Sequence, residues 1–296
     1  IKATLTIIIV NWNNKKILED CLESIYRTQI DYDYQIIVVD NHSEDGSIDL
    51  IKNKFPKIKL IENDKNYGFA KANNQAIKIT RTEYILLLNN DTIIVKKNCF
   101  NNMIHFMQKN SKIGVLGCKL LFSDGTLQSV GGKFPSAWEI FKNQILFIKT
   151  LKRFKNQRIK LFEKVDCVSG ACLLTRREVL DDAGDFKEDC FMYEVDIEFC
   201  YRAQKHGWDV GVLTNESIIH LMGKSTEKNL TKTLYYSINN DLRNIKMIHN
   251  DNCQLLLAKF FHLIGILIRS LLAIFRKNKK TVDYLKLFSK ILTNGE

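Results

Sequence analysis

Short apolar runs alternate with segments of helical spacing through the first ninety residues of the chain. The apolar runs are residues 4–10, 35–39, 58–62 and 85–88, and the helical segments are 17–26, a short stretch ending at Ile51 and a stretch ending near Ile79. Apolar runs this short are typical of strands buried on both faces of a parallel sheet, although periodicity alone leaves a buried helix open. The alternation therefore predicts an α/β fold with a parallel sheet and right-handed crossovers.

Polar side chains stand where three of the predicted strands end. Asn11 follows the first strand, Asp40 the second, and Asn89-Asn90-Asp91 the fourth. Ligands of open α/β sheets bind outside the carboxyl ends of the strands, and oxygen-rich clusters there suit a hard cation. Asp40 is able to accept from the imide N–H of uracil or thymine. Turns and helix caps are the alternative for each cluster, but three clusters in one sheet favour a nucleotide site.

Several function classes are disfavoured by what the sequence lacks. The motifs GxGxxG and GxxxxGK[ST] are both absent, which disfavours an ordinary dinucleotide dehydrogenase and a P-loop enzyme.

The eight cysteines are scattered and form no CxxC pair, so we expect reduced thiols and a cytosolic protein. No signal peptide is visible, and the first strand begins almost at Ile1. We therefore expect that an initiator methionine or a short leader is missing.

A set of loose motifs occurs in a specific order along the chain. They are IIIVNWN (7–13), VVDNHSEDGS (38–47), NYGFAKANN (66–74), LLLNNDT (86–92), SGACLLTRREVL (169–180), GDF (184–186), FMYEVDIEFCYRAQKHGW (191–208) and HLMGKS (220–225). This order resembles the family-2 inverting glycosyltransferases of the GT-A fold over roughly residues 4–245. It is similar in particular to the branch that builds surface polysaccharides, which includes rhamnosyltransferases. The resemblance implies a Rossmann-like, mostly parallel central sheet flanked by helices.

The resemblance also implies a donor site for a sugar nucleotide. Asn11 and Asp40 would contact the nucleoside, and Asn66 and Gly68 would line the same pocket. Asn89, Asn90 and Asp91 occupy the place of the family's DxD motif, with Asp91 as its last carboxylate. Because Asn89 stands where the first Asp is usual, only one charged ligand remains there. Such a site fits Mg²⁺ or Mn²⁺ if the donor's diphosphate completes the coordination shell.

A second acidic stretch resembles the family's catalytic motif. Aligning Cys200-Tyr201-Arg202 with the family's CxR triplet places Asp196 on the catalytic aspartate and Val195 where Glu is usual. Glu194 is the neighbouring candidate to compensate. Asp196 would take the proton from the attacking acceptor hydroxyl. Glu198 falls on a second, commonly acidic position, but it is also spaced to form an ordinary helix-surface pair with Arg202.

Two further predictions concern the surroundings of the reacting groups. Gly170 and Ala171 would lie on the acceptor side, where small residues let a sugar approach the backbone; as bare sequence they are only a turn. His220, within HLMGKS, resembles the family's histidine near the metal and the diphosphate. A lone histidine at a strand end is otherwise a hydrogen-bonded structural residue, and the sequence leaves both readings open.

The net charge of +11 is concentrated in two segments. Residues 138–164 hold eight Lys or Arg against two Glu, and residues 255–290 hold eight against one Asp. Such patches attract phosphate in nucleic acid or in lipid head groups. A nucleic-acid partner is disfavoured because no basic-aromatic recognition motif accompanies the charge. The first segment is interpreted as an acceptor-site insertion, a membrane-surface helix or a packed amphipathic helix.

The second basic segment begins with a long apolar stretch, Leu255–Phe275. Its 21 residues would span about 31 Å as a helix, which is enough to cross a bilayer. In a helix, where each residue is rotated by about 100° from the one before, its polar positions fall within an arc of about 120° around the axis. These positions are Lys259, His262, Arg269, Ser270 and Arg276. This pattern is typical of a helix lying in the membrane interface, and burial against the catalytic domain or in a homodimer is the alternative.

The predicted organisation is a catalytic domain over 1–245 and a membrane-associating helical segment over 246–296. The catalytic domain divides into a nucleotide-binding half, 1–100, and an acceptor half, 101–245, that carries the basic insertion. We expect a metal-dependent inverting glycosyltransferase that uses a UDP- or dTDP-sugar and extends a lipid-linked glycan. It would be cytoplasmic and peripheral on the inner face of the cell membrane. The alternative is a non-catalytic scaffold that binds sugar nucleotides.

Overall fold

The computed structural model describes residues 4–146, 160–189, 195–221 and 230–275 of the chain. The chain forms two compact units, which we call the sheet unit (1–133 and 158–222) and the helical unit (134–157 and 223–296). The predicted domain boundary at 245 thus differs from the observed division, which groups 223–245 with the C-terminal residues. The assignment of nucleotide-binding and acceptor halves stays a prediction.

Ten strands and nine helices are formed by the described residues. The strands are β1 Leu5–Asn11, β2 Tyr34–Asp40, β3 Lys59–Glu62, β4 Tyr84–Leu88, β5 Thr92–Ile94, β6 Ile113–Leu121, β7 Leu127–Ser129, β8 Phe162–Lys164, β9 Cys172–Arg176 and β10 Asp209–His220. The helices are α1 Lys15–Tyr26, α2 Ser47–Lys54, α3 Phe69–Lys78, α4 Cys99–Lys109, α5 Ala137–Gln144, α6 Arg177–Ala183, α7 Val195–Lys205, α8 Leu230–His249 and α9 Asn252–Phe275. The strands and helices predicted over the first ninety residues are all present.

The strands form one sheet in the order β3-β2-β1-β4-β9-β6-β10-β5, with β7 beside β6 and β8 beside β10. The first four strands are parallel, as predicted. β9 then runs antiparallel between β4 and β6, and β5 runs antiparallel to β10. The sheet is therefore parallel in the half built from the first ninety residues and mixed in the other half.

The core of the sheet unit lies where the helices cover these strands. Every residue of β4 is buried, and the inward positions of α1, such as Leu18 and Leu22, are fully buried against the sheet. Each fully buried Leu or Ile contributes about 1.5–3 kcal/mol relative to leaving it exposed. The apolar strands are thus held rigidly, and their polar ends occupy fixed positions.

In the helical unit, α5, α8 and α9 pack together. Phe141 of α5 contacts Phe261 of α9 with ring centroids 5.0 Å apart. The predicted C-terminal helix is confirmed, and it begins at Asn252. Much of the basic insertion, 147–159, lies outside the described residues, as do Arg276 and the residues beyond it.

Part of the polar stripe of α9 faces its neighbouring helices, whereas Lys259 is exposed. His262 and Ser270 are buried, and His262 Nε2 lies 3.4 Å from Asp241 Oδ2 of α8. Arg269 donates to Gln144 of α5. The apolar positions turned outward include Leu256, Phe260, Leu267, Leu271 and Ile274, which are 46–66% exposed. Ser270 donates to Ile266 O within α9 at 2.9 Å, so His262 and Arg269 are the members of the polar stripe that contact α8 and α5. An apolar stripe remains at the surface.

Among the described residues one helix is long and apolar enough to cross a membrane. It covers Asn252–Leu272, with a mean hydropathy of 1.9 and 28% of the window buried. Length and composition are the whole of this evidence, since core helices of soluble proteins meet the same criteria.

Candidate active site

The carboxyl ends of β1, β2 and β4 meet at one edge of the sheet. Asn11 and Asp40 are paired in register at the ends of β1 and β2, and both are fully buried. Asn11 Nδ2 donates to Asp40 Oδ2 at 2.9 Å, and Asn90 Nδ2 donates to Asn11 Oδ1 at 2.8 Å. The backbone N–H of Ser43 donates to Asp40 Oδ1 at 2.7 Å. Both oxygens of this buried carboxylate therefore have donors, which offsets the cost of burying its charge.

Asn66 and Gly68 are joined to the same edge through Asn41, the residue after Asp40. Asn41 Nδ2 donates to Gly68 O at 3.1 Å, and Gly68 N donates to Asn66 Oδ1 at 2.9 Å. Gly68 has φ +82°, a backbone conformation that favours glycine, and α3 begins directly after it. All the residues predicted for the donor pocket are thus brought together, and Asn41 is an addition that the sequence analysis missed.

The antiparallel pairing of β5 with β10 brings His220 to the end of the Asn89–Asp91 cluster. His220 Nε2 lies 3.2 Å from Asp91 Oδ1 and 3.5 Å from Asn89 Nδ2. On its other side, His220 Nδ1 lies 2.8 Å from Gln128 Oε1, while Gln128 Nε2 donates to His220 O at 3.1 Å. Because Gln128 Oε1 is an acceptor, it places the ring proton on Nδ1. In the neutral ring, Nε2 then presents a lone pair towards Asp91.

This arrangement suits a divalent cation. A ring lone pair and a carboxylate oxygen that face each other at 3.2 Å repel each other. A proton or a cation between the two atoms would remove that repulsion. The described residues hold no cluster of three or more His, Cys, Asp or Glu side chains suited to a metal. Asp91 and His220, with the Asn89 carboxamide nearby, would therefore need oxygens from a bound phosphate or water to complete a shell.

Asp196 lies at the start of α7, beside the turn that leads into β9. Gly170 N donates to Asp196 Oδ2 at 2.7 Å, and Ile197 N donates to Asp196 Oδ1 at 3.0 Å. Burial raises the pKa of this carboxyl, and the two backbone N–H groups oppose that rise in part. Ala171 O accepts from Asn89 N at 3.1 Å. The predicted acceptor-side residues, Gly170 and Ala171, therefore lie between Asp196 and the Asn89–Asp91 cluster.

Glu198 is engaged in a buried ion pair. Its two oxygens accept from Arg202 Nε at 2.6 Å and Arg202 Nη2 at 2.8 Å. Arg202 also donates to the carbonyls of Gly184, at 3.0 Å, and Asp185, at 2.8 Å. The helix pairing that the sequence left open is thus observed, and it favours a positioning role for Glu198. Glu194, the candidate to compensate for Val195, lies outside the described residues.

Asn74 holds the GDF segment, 184–186, from the other side. Its Nδ2 donates to Phe186 O at 2.8 Å, and its Oδ1 accepts from Phe186 N at 3.1 Å. Asn74 is the last residue of the NYGFAKANN motif, so the sequence contained the residue without revealing its partner. Together with Arg202, it links α3 and α7 through one short segment.

Comparisons with known proteins identify a matching family and several relatives. A model described as glycosyl transferase family 2 matches residues 6–184, more than half of the chain. An O-antigen biosynthesis protein from Myxococcus xanthus is 25% identical over 196 residues, which cover 63% of this chain and 15% of that protein. An N-acetylglucosaminyl-diphospho-decaprenol L-rhamnosyltransferase from Mycobacterium tuberculosis is 22% identical over 208 residues, covering 64% of this chain and 67% of that protein. The chain spans 23% of the length of the first curated relative that it matches and 15% of the length of the second.

The fold has solved counterparts. A mannosyltransferase from Pyrobaculum calidifontis, solved in complex with GDP-Man and Mn²⁺, aligns with a TM-score of 0.62 at 14% sequence identity. The alignment covers 100% of this chain and 77% of the mannosyltransferase. At this identity the likeness concerns the fold alone, and it confirms the predicted GT-A architecture.

We expect Glu198→Ala to destabilise the sheet unit, because it leaves the Arg202 guanidinium without its buried carboxylate partner. The free energy of unfolding should fall by about 3 kcal/mol, measured by urea denaturation. Glu62→Ala, which removes the exposed partner of Lys52, is the control and should leave the midpoint unchanged. Equal midpoints for Glu198→Ala and the wild type would show that the pair has no structural role.

Proposed function

The chain belongs to glycosyl transferase family 2, and from that premise we propose that it is a metal-dependent inverting glycosyltransferase. The family match and the named relatives confirm the resemblance read from the motif order. The proposed donor is a UDP- or dTDP-sugar, and the proposed acceptor is a hydroxyl of a lipid-linked glycan in surface-polysaccharide synthesis. The relatives named for O-antigen biosynthesis and for rhamnosyl transfer support this direction.

One observation carries the proposal: the groups needed for displacement at a sugar carbon stand at the same edge of the sheet. Asp91 and His220 lie on one side of the Asn89–Ala171 backbone hydrogen bond, and Asp196 lies on the other, bonded to Gly170. Inversion requires a base near the attacking hydroxyl and charge stabilisation near the departing diphosphate. We assign the first task to Asp196 and the second to a cation held at Asp91.

The donor's nucleoside would bind at Asn11 and Asp40. Their mutual hydrogen bond and the Asn90 contact hold the three side chains in fixed orientations before any ligand arrives. Preorganised polar groups lower the ordering cost of binding. Because Asp40 is fully buried and both its oxygens have donors, accepting from the imide N–H of a pyrimidine base, with Asn66 and Gly68 beside it, would require one of those donors to shift.

Asp91 and His220 would hold Mg²⁺ or Mn²⁺, and the Asn89 carboxamide, whose Nδ2 faces His220 Nε2, would lie beside them. When bound, the cation would supply positive charge against the leaving diphosphate. The hydrogen bond between His220 and Gln128 supports this role, because it orients the ring so that Nε2 faces Asp91. The mannosyltransferase that was solved with Mn²⁺ has the same fold and supports the choice of metal.

Asp196 would remove the proton from the acceptor hydroxyl. Burial raises its pKa, so the ionised carboxylate is a stronger base than an exposed aspartate. The N–H of Gly170 fixes the orientation of Oδ2. Because Gly170 has no side chain, its backbone N–H is able to approach this oxygen closely.

The helical unit would bring the protein to the inner face of the cell membrane as a peripheral protein. The stripe at Leu256, Phe260, Leu267 and Leu271 is apolar and exposed, and in the sequence α9 is followed by Arg276-Lys277 and Lys279-Lys280. An apolar helix face next to a cationic segment complements an anionic lipid surface. A second copy of the chain is the competing occupant of this stripe.

We expect Asp91→Ala to abolish metal-dependent transfer without unfolding the chain, because Asp91 is the sole carboxylate of the NND cluster. The assay is release of nucleoside diphosphate from a panel of UDP- and dTDP-sugars with Mg²⁺ or Mn²⁺. Asp49→Ala, on the exposed side of α2, is the matched control and should retain full rate. Undiminished wild-type activity in excess EDTA would count against the metal.

We expect Asp196→Asn to lower turnover by a factor of about 10²–10⁴, the usual scale for general-base catalysis. Donor binding should be nearly unchanged, because the amide keeps the shape of the side chain and removes only the proton acceptor. Single-turnover rates and donor affinity are measured for Asp196→Asn and Glu198→Gln. If Asp196→Asn keeps full rate and Glu198→Gln is inactive, the base is Glu198; if neither loses activity, catalysis by this motif is excluded.

We expect the protein to sediment with anionic liposomes at low salt and to be released only in part at high salt. Salt screens the attraction of cations to lipid but leaves apolar insertion intact. Leu267→Glu and Phe260→Glu should each weaken co-sedimentation, whereas Ile79→Glu, an equally exposed apolar position at the end of α3, should not.

Three results would contradict peripheral membrane binding through this apolar stripe. If both glutamate variants sediment with liposomes as the wild type does, the stripe does not contact the membrane. Loss of a dimer in sedimentation velocity, with no effect on liposome binding, would assign the stripe to a second copy. If alkaline carbonate fails to extract the full-length protein from membranes and only detergent succeeds, α9 spans the bilayer.

A further inference from the structure

Phe69 stands at the point where α3, the turn before β9 and α7 come together. A Cβ atom placed on Gly170 would lie 3.2 Å from Phe69 Cζ and 3.6 Å from Asp196 Oδ2. The ring edge and the carboxylate therefore flank the same glycine. Neither the motif order nor the apolar pattern indicated this contact.

The position of the ring is fixed by its own backbone. The chain turns at Gly68, with φ +82°, and Phe69 is the first residue of α3. The carbonyl of Phe69 accepts from Asn73 Nδ2 at 2.9 Å. The ring is only partly buried, so one edge rests on Gly170 while part of its surface stays open.

We propose that Phe69 is a positioning residue for Asp196: its ring edge, seated on Gly170, excludes water from one side of the carboxylate. This inference rests on the proposed function, in which Asp196 is the base. In the part of the chain that the structure describes, the polar partners of the carboxylate are the backbone N–H groups of Gly170, Ile197 and Asp196 itself, so the apolar ring adds desolvation without adding a hydrogen bond. A carboxylate that is less hydrated on one side is a stronger base towards a hydroxyl.

Among the described residues, few titratable groups surround Asp196. On α7, Glu198 is paired with Arg202, and burial raises the pKa of the Cys200 thiol well above its usual range. The turn at 169–171 and the first residue of α3, which pack against the carboxylate, bring no titratable side chain. Hydration is therefore the property of Asp196 that a change at Phe69 would alter most.

The test measures Asp196 directly and needs no substrate. In protein labelled with ¹³C at the aspartate carboxyls, the Asp196 resonance is identified by its absence from Asp196→Asn and is then titrated by NMR. Phe69→Ala should move its midpoint to lower pH, and Phe69→Leu should move it less, because leucine keeps part of the apolar cover. Ile79→Ala, a truncation at the far end of the same helix, should leave the midpoint unchanged.

An unchanged midpoint in both Phe69 variants, with thermal unfolding showing that they are folded, overturns the proposal. Should Phe69→Ala fail to fold, the milder Phe69→Leu still decides, because its predicted shift has the same sign. The pH profile of kcat/KM gives the second readout: its acidic limb should move to lower pH in step with the NMR midpoint. A shifted midpoint with no transfer from any donor would leave the positioning effect standing and refute the proposed function.

Discussion

The arrangement of the site depends on one buried carboxylate and the donors that keep it buried. Asp40 is the last residue of β2 and is fully buried, so an unpaired charge there would destabilise the fold. Parallel pairing in register places Asn11 beside it, and Ser43 in the following turn supplies the second donor. Asn90 then bonds to Asn11, so the end of β4 is tied to the same point. Three strand ends are fixed by one chain of hydrogen bonds.

The second half of the sheet adds the reactive groups to this fixed edge. β9 lies antiparallel against β4, which places Ala171 within hydrogen-bond distance of Asn89 and sets the adjacent Gly170 against Asp196. β10 returns beside β5 and delivers His220 to Asp91. The placements of Ala171 and His220 come from long-range pairing between strands that are more than eighty residues apart in the chain.

The difference between local patterns and long-range strand pairing explains which features the sequence could predict. The first four strands, their helices and the polar strand ends follow from local periodicity, because adjacent βα units determine a parallel sheet almost by themselves. The place of β9 between β4 and β6, and the contact between Gln128 and His220, depend on pairings that no local pattern specifies. The apolar face of α9 was predicted from the arc of its polar residues, but that arc does not reveal that His262 and Arg269 point towards α8 and α5.

The central claim is that the ends of β1, β2 and β4 form a nucleotide-binding edge, and calorimetric titration with UDP, dTDP and GDP in the presence of Mn²⁺ tests it most directly. We expect saturable binding of UDP or dTDP to the wild type. In Asp40→Asn, shown to be folded, affinity should fall by at least about tenfold, or about 1.4 kcal/mol, while the exposed control Asp49→Asn binds as the wild type does. Absence of binding by all three nucleotides, or equal affinity in Asp40→Asn, would contradict it.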